Sequence, residues 1–279
     1  MPEIHFIDYN LIVKIGLITV NYNNQKDTQE FISSLRENRV DFPLFISDLS
    51  DKSPLRIKKD WKDVVVQRFE NRGYAFGVNR GLEYFYEQDF DGFVVVNNDI
   101  LFSKNFRGEV FTSFSKFAAF TGKIYYAKGF EYHKGYKKGD LGKVIWFAGG
   151  RIDWRNIYVF HRGVDEVDKG QYDNLEETEF ITGCLFAFSR RVFERVGHWD
   201  EKFFLYWEDV DYSVRVKRAG FFLIYNPYLV IYHKNAQSTR GPGSKIHTYH
   251  QRKGRLRFAL KYAPFRTKLH VVKNYLLGK

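Results

Sequence analysis

Short apolar runs that end in Asn or Asp organise the first hundred residues. Val13 to Val20 reads as a buried strand, closed by Asn21-Tyr22-Asn23-Asn24. Asp27 or Thr28 can then cap a helix whose Phe31, Ile32 and Leu35 fall at helical spacing. Pro43 to Ser47 is a second strand ending at Asp48, and Val64-Val65-Val66 a third. Gly77 to Glu87 reads as a helix with Val78, Leu82 and Phe85 on one face. Phe93 to Val96 is a fourth strand, ended by Asn97-Asn98-Asp99. Strand and helix in repetition predict an α/β fold with a mostly parallel central sheet and flanking helices. Ligands of such sheets sit beyond the carboxyl ends of the strands, so Asn21, Asp48, Asn71 and Asp99 are expected to cluster.

The pattern is weaker further on. Gly122 to Glu179 reads as irregular connections with small strands. Phe180 to Phe188 reads as a strand, Arg190 to Val196 as a short helix, and Trp199 to Tyr206 as a loop. Val210 to Ala219 reads as a helix stopped by Gly220, with final strands at Phe221–Ile224 and Leu229–Tyr232.

Charge divides the 279-residue chain. The net charge is +11, yet residues 234–279 hold 12 Lys or Arg and no Asp or Glu, leaving the rest near neutral. This predicts a body at residues 1–235 and a basic, helical C-terminal extension at 236–279. Such an extension suits nucleic acid, anionic lipid or a phosphorylated substrate; confinement to one tail, without a recognised binding module, argues against nucleic acid. Arg252, Lys253, Arg255 and Arg257 interleave with Leu256, Phe258 and Leu260, so the tail either packs on the body or contacts an anionic membrane surface. No apolar stretch reaches the ~18 residues of a membrane span. Glu3, His5 and Asp8 interrupt any leader pattern, so the expectation is a cytoplasmic protein, soluble or peripheral at the inner face of the cell membrane. The single cysteine, Cys184, lies in an apolar run and reads as buried.

Several polar groups carry candidate chemistry. Asn98-Asp99 follows a buried strand, where a carboxylate can hold a hard cation such as Mg²⁺ or Mn²⁺ against a diphosphate; a turn Asp is the alternative. Glu208-Asp209-Val210-Asp211 opens a helix after the aromatic loop Phe203–Trp207. Asp211 stands four residues before Arg215, as in a helical ion pair, whereas Glu208 and Asp209 precede the helix body and can face a cleft as a source of a general base. His233 ends the last strand, beside the proposed cation. Asn71 to Gly81 is either a Gly-rich phosphate loop or a loop-to-helix junction, in which Gly73 permits close backbone approach and Arg72 and Asn79 can reach a nucleotide. Asp48 can accept a hydrogen bond from a pyrimidine N3–H, or serve as a turn residue.

Taken in order, these segments resemble glycosyltransferase family 2, especially its rhamnosyltransferase-like members. Thr19-Val20-Asn21-Tyr22-Asn23 is similar to the family's opening strand, and Ser47-Asp48-Leu49-Ser50-Asp51 to its uridine- or thymidine-binding turn. Asn71 to Gly81 resembles its Asn-x-Gly-aromatic-Ala-x-Gly-x-Asn-x-Gly block. Asn97-Asn98-Asp99 stands at its metal motif, with Asn97 where a strict version has Asp. Thr182-Gly183-Cys184 through Asp211, including Tyr206-Trp207-Glu208-Asp209, resembles its acceptor-side signature, and His233 its later metal-binding His. The resemblance covers Val13 to His233. It implies a GT-A (Rossmann-like) fold, an inverting mechanism, a divalent metal (Mn²⁺ or Mg²⁺) and a nucleotide-sugar donor, UDP- or dTDP-linked. The acceptor would be a saccharide or lipid-linked saccharide. By resemblance Asp209 is the base with Glu208 beside it, and Asp99 and His233 are metal ligands. Asn21, Asn23, Asp48, Arg72, Gly73, Asn79, Asn98, Asp99 and Gly183 are donor-site residues, and Trp207 belongs to the acceptor side. A sugar-phosphate nucleotidyltransferase would instead carry a Gly-rich basic loop after the first strand, where this chain has Asn21–Asn24. A catalytically inactive carbohydrate-binding relative would have no need of Asp99 and Glu208-Asp209.

Overall fold

A computed structural model describes residues 14–58, 61–234 and 244–278. The expected division at residue 235 and the N-terminal Glu3, His5 and Asp8 lie outside the described residues. The strands are β1 (Ile15–Asn21), β2 (Leu44–Asp48), β3 (Val64–Arg68), β4 (Gly92–Val96), β5 (Ile100–Phe102), β6 (Ala119–Tyr126), β7 (Ile145–Phe147), β8 (Gly150–Asp153), β9 (Tyr158–His161), β10 (Glu176–Glu177), β11 (Leu185–Ser189) and β12 (Ile224–His233). The helices are α1 (Gln25–Glu37), α2 (Tyr74–Tyr86), α3 (Phe106–Phe114), α4 (Arg190–Val196), α5 (Glu208–Arg218), α6 (Lys245–Tyr262) and α7 (Phe265–Leu276).

The main sheet runs β10-β12-β6-β11-β4-β1-β2-β3, with β5 paired to β12 and β7 to β6. Strands β3, β2, β1 and β4 are mutually parallel, and β6 and β12 are parallel to each other; β11 runs antiparallel between β4 and β6. Strands β8 and β9 form a separate hairpin. Ile15 and Leu17 of β1 join a core with Phe31 and Ile32 of α1 and Phe106 and Val110 of α3. Ile18 and Val20 join a second core with Val78 and Leu82 of α2 and Tyr212 of α5. A strand covered on both faces needs apolar residues at consecutive positions, which is why the first run is nearly unbroken.

The departures from the sequence reading have local causes. Helix α1 is capped by Asn24, whose side chain accepts the Asp27 N–H, one turn earlier than expected. Helix α2 starts at Tyr74 rather than Gly77, because Gly73 at φ 103° supplies the turn. Only the second half of Phe180–Phe188 is strand. The two final strands are one, β12, with an irregularity between Asn226 and Val230, where Pro227 interrupts the ladder. Where the sequence reading has irregular connections with small strands from Gly122 on, the structure has a central eight-residue strand, β6, whose apolar run is broken by Thr121, Gly122 and Lys123. Lys123 is nevertheless buried, its ammonium bonded to Asp168 (2.8 Å) and Asp173 (2.5 Å).

Helix α6 returns the basic tail onto the body. Lys261 Nζ donates to Asp211 Oδ1 (2.6 Å) and Asp200 Oδ2 (3.1 Å), and the Tyr262 hydroxyl donates to Asp211 Oδ1 (2.7 Å). Arg215 Nε donates to Asp211 Oδ2 (2.9 Å), the helical pair its spacing predicted. Arg255 donates to the carbonyls of Ile157 (3.0 Å) and Asn156 (2.9 Å). Asp211 is fully buried and holds α6 to α5. Asp211→Ala leaves these cations short of their counter-charge and is expected to lower stability by about 3 kcal/mol in chemical denaturation, with amide exchange in α6 rising first. An unchanged midpoint would remove Asp211 from this role.

Candidate active site

A cavity of about 730 Å³ opens at the carboxyl ends of β1, β4 and β12. Asn97, Asn98, Asp99, Thr182, Gly183, Cys184, Glu208, Asp209 and His233 line it, and α6 contributes His247, His250 and Gln251 to its wall.

Beneath one edge lies a polar hub. The Asn21 amide donates to Asp48 Oδ1 (2.8 Å) and Ser50 Oγ (3.0 Å). Its Oδ1 accepts from Thr28 Oγ (3.0 Å), Asn98 Nδ2 (3.2 Å) and Asn24 N (3.3 Å). The hub knits together the ends of β1, β2 and β4, so the expected clustering of Asn21, Asp48 and the Asn98-Asp99 turn is real. It also consumes Asp48. Both its oxygens are occupied, Oδ2 by the Leu55 N–H at 2.7 Å, and the side chain is buried below the cavity rather than facing it. Asp48 itself does not line the cavity; Val20, Tyr22 and Leu49 do so there.

Asp99 and His233 are brought together by register. The turn after β4 leads into β5, which pairs antiparallel with β12 so that Ile100 faces His233. The Lys234 N–H donates to the Asp99 carbonyl (2.9 Å) and locks the two segments. Asp99 Oδ1 then lies 3.1 Å from His233 Nε2, both buried. Burial alone would lower the imidazole pKa, but the negative charges around it raise it. The Cys184 thiol beside it is itself pushed up by burial and stays neutral, so Asp99 supplies the charge that matters. No group of three or more His, Cys, Asp or Glu side chains with metal-site geometry occurs among the described residues. One carboxylate oxygen and one imidazole nitrogen suit a divalent cation that takes its remaining ligands from diphosphate and water, provided that the cation displaces the imidazole proton that Asp99 holds in place.

Opposite, the helix mouth aims two carboxylates inward. Tyr206 and Trp207 both adopt left-handed backbone, at φ 66° and 73°, directly before α5. Asp209 Oδ2 accepts the Gly183 N–H (2.9 Å) and Oδ1 accepts the Val210 N–H (2.8 Å). Burial raises the Asp209 pKa, and these N–H groups restrain the rise. Glu208 is raised well above the usual carboxylate range, by burial and then by the Asp209 charge, and its Oε2 has no hydrogen-bond partner. One proton shared by this pair therefore belongs on Glu208, leaving Asp209 ionised.

Other expected residues fall elsewhere. Gly73 lines the cavity, where a Cβ would stand 2.4 Å from the Phe204 carbonyl oxygen. Asn79 does not reach it: its side chain is buried, bonded to Trp199 N (2.9 Å), Trp199 O (3.0 Å) and Glu201 (3.0 Å), holding the loop before α5. Arg72 is turned outward over Phe76 and towards Glu201. Asn23 sits in an exposed turn, bonded to Asp51 (2.6 Å). Trp207 faces the cavity, but its Nε1–H is given to Gln251 of α6 (2.9 Å) and its ring packs on Phe258. Sequence reasoning missed Tyr74, whose buried hydroxyl lies 3.0 Å from the Gly183 carbonyl and 3.2 Å from Asn97 Oδ1, fixing the segment that holds Asp209. It also missed Trp146 and His161, which come from the segment read as irregular; the aromatic-rich spacing Trp146, Phe147, Tyr158, Phe160 was the available signal.

Known proteins are similar to this chain in sequence and in fold. An 84-residue stretch, 28% of this chain and 27% of the relative, is 34% identical to N-acetylglucosaminyl-diphospho-decaprenol L-rhamnosyltransferase of Mycobacterium tuberculosis. The low-salt glycan biosynthesis hexosyltransferase Agl10 of Haloferax volcanii is 22% identical over 219 residues, 77% of this chain and 65% of the relative. The chain thus spans about a quarter of the first relative's length and somewhat under two thirds of the second's. Among solved structures, GalNAc-T7 with UDP, GalNAc and Mn²⁺ superposes with a TM-score of 0.60 at 15% identity, over 86% of this chain and 48% of that one. The mannosyltransferase PcManGT of Pyrobaculum calidifontis, in complex with GDP-Man and Mn²⁺, gives 0.54 at 15% identity, over 96% and 71%. The fold is GT-A, as the resemblance implied. Residues 64–258 match the family described as Glycosyltransferase like family 2, and with this match over most of its length the chain belongs to glycosyltransferase family 2.

Proposed function

We propose that the protein is an inverting glycosyltransferase that moves a sugar from a UDP- or dTDP-linked donor to a hydroxyl of a saccharide or lipid-linked saccharide, as in cell-surface polysaccharide synthesis. The observation that carries this reading is the cavity itself, with the Asp209 carboxylate at the mouth of α5 and the Asp99–His233 pair on the facing wall. The relatives support it, since they include an N-acetylglucosaminyl-diphospho-decaprenol L-rhamnosyltransferase and solved complexes with UDP or GDP-Man.

In this reading the nucleoside lies across the strand ends at Val20, Tyr22 and Leu49, and the hub of Asn21, Asp48 and Asn98 keeps that edge rigid. Asp99 and His233 would hold a Mn²⁺ or Mg²⁺ ion, which when bound neutralises the diphosphate leaving group. The acceptor oxygen attacks the anomeric carbon from the face opposite the diphosphate, and the bond to the diphosphate oxygen breaks. Asp209 accepts the hydroxyl proton in the same step. The Gly183 N–H keeps Asp209 aimed, and neutral Glu208 adds no second negative charge near the entering oxygen. Tyr206 and Trp207 border the acceptor side.

The base assignment has a kinetic signature. Asp209→Asn keeps shape and removes basicity, so kcat should fall by about 10²–10⁴ while donor affinity barely changes. Because the Asp209 pKa is raised, wild-type activity should fall as pH drops through a value above the usual carboxylate range, and the residual activity of Asp209→Asn should lack that limb. Near wild-type turnover in Asp209→Asn would place the base elsewhere.

Metal dependence is tested separately. EDTA should abolish transfer and Mn²⁺ restore it, and Asp99→Ala should be inactive with a retained cooperative melt. Full activity in EDTA would discard the cation and leave Asp99–His233 as a structural ion pair. A nucleotide-release screen across UDP-, dTDP- and GDP-sugars is expected to favour the first two; preference for a GDP-sugar would overturn the donor assignment.

A further inference from the structure

Helix α7 is folded inside out. Phe265, Leu269, Val272 and Leu276 recur at i, i+4, i+7 and i+11, the spacing of one helical stripe. In an amphipathic helix of a globular protein such a stripe faces the core. Here Val271, on nearly the opposite side, is the one buried residue of α7, while Phe265, Leu269 and Leu276 are 74%, 55% and 78% exposed. On the body-facing side Val271 joins the core with Phe258 and Ala259, Thr267 Oγ donates to the Arg155 carbonyl (3.2 Å) at the tip of the β8–β9 hairpin, and the Tyr275 carbonyl accepts from Arg252 of α6 (2.8 Å); Val272, at the edge of the stripe, is half-buried. The helix is thus held firmly with its apolar stripe outward.

What surrounds the stripe is basic. By helical geometry Arg266 and Lys273 flank it on one side and Lys268 on the other. Residues 244–278 contain nine Lys or Arg and no acidic residue. The hairpin tip tied to α7 adds Trp154 and Tyr158, 39% and 46% exposed. Of the basic residues expected to meet lipid from α6, Arg252 and Arg255 are bonded to α7 and the body and Arg257 lies over the Phe203 ring, while Lys253 is exposed. No helix of the described residues is long and apolar enough to cross a membrane. An exposed apolar stripe bordered by cations matches a surface that is apolar just below a layer of negative charge.

We infer that α7 is an interfacial helix that seats Phe265, Leu269, Val272 and Leu276 in the outer few ångströms of an anionic lipid surface, with Arg266, Lys268 and Lys273 against its headgroups. The site belongs to this chain's own C-terminus, since residues 265–276 lie beyond the segment that matches the family. It stands independently of the sugar-transfer reading. Helix α7 folds back along α6, since Arg252 donates to the Tyr275 carbonyl, so its C-terminal end lies close to the cavity-lining Gln251 and His247.

Vesicle co-sedimentation of the full chain tests this without donor or acceptor. Vesicles of phosphatidylcholine with one-third phosphatidylglycerol should retain the protein at physiological salt, and pure phosphatidylcholine should retain it far less. Leu269→Glu/Leu276→Glu should weaken binding to the mixed vesicles by about tenfold or more, with an unchanged melting temperature because both side chains are exposed. Arg266→Glu/Lys273→Glu should weaken it too, and more so at low salt. Absence of wild-type binding, or equal binding by the leucine variant, would overturn the proposal. So would a dimer in sedimentation equilibrium that Leu269→Glu/Leu276→Glu dissolves, which would assign the stripe to a contact between two copies.

Discussion

The site depends on a strained turn that another helix holds closed. Tyr206 and Trp207 are consecutive non-glycine residues in the left-handed region, an arrangement that costs on the order of 1–3 kcal/mol per residue. Without that turn α5 would start in another direction and Glu208-Asp209 would not enter the cavity. Helix α6 lies directly upon it: a Cβ at Gly254 would stand 2.6 Å from the Trp207 ring and 3.0 Å from the Tyr206 carbonyl oxygen. Gln251 takes the Trp207 N–H, Phe258 packs on its ring, and Asp211 anchors the far end of α6. The basic tail therefore supports the very geometry that composition alone set apart from the body.

Electrostatics divides the cavity into two regimes. At the α5 mouth buried Glu208 stands beside half-buried Asp209, and burial with the Asp209 charge raises Glu208 the more; hydrogen bonds from Gly183 and Val210 favour Asp209 as the charged one. At the β12 end a carboxylate and an imidazole, both buried, carry opposite charges, which stabilises both. Segment 182–184 lies between them. Its Gly183 N–H restrains Asp209, its Gly183 carbonyl bonds Tyr74, and its Cys184 thiol touches His233, so a shift of this short stretch would disturb both ends together.

Legibility in the sequence followed burial and periodicity. Strands covered on both faces, β1, β2 and β4, announced themselves as apolar runs, and the polar residues that end them are where the hub and the cavity form. Strand β6 did not, because Lys123 in its middle is tolerable only through Asp168 and Asp173, some fifty residues on, and no local pattern reports such a partner. The same limit explains the site assignments. The positions of Asp99 just after β4, of His233 at the end of β12 and of Glu208 and Asp209 at the start of α5 were legible, because each stands at the end of an element that opens on the cavity. Asp48 and Asn79 lie at equally suggestive positions, yet their side chains are spent on Asn21, Ser50 and Leu55, and on Trp199 and Glu201. A motif gives a residue's address; which groups claim its hydrogen bonds depends on loops that meet it only in the fold.

The C-terminal charge shows how a single compositional number can conceal two devices. Along α6 three cations are matched from the body or from α7, Lys261 by Asp211 and Asp200, Arg255 by the Ile157 and Asn156 carbonyls and Arg252 by the Tyr275 carbonyl, while Lys245 and Lys253 are exposed. Along α7 they flank an apolar stripe that the body does not cover. Ala263-Pro264 separates the two helices, and Pro264, unable to donate a backbone hydrogen bond, ends α6 and begins α7 in a new direction. That change of direction is what allows one continuous basic segment to clamp the α5 turn with its first helix and expose its second. A straight helix through residue 264 would have to satisfy both demands with one face, and its apolar residues would lie on the wrong side for one of them.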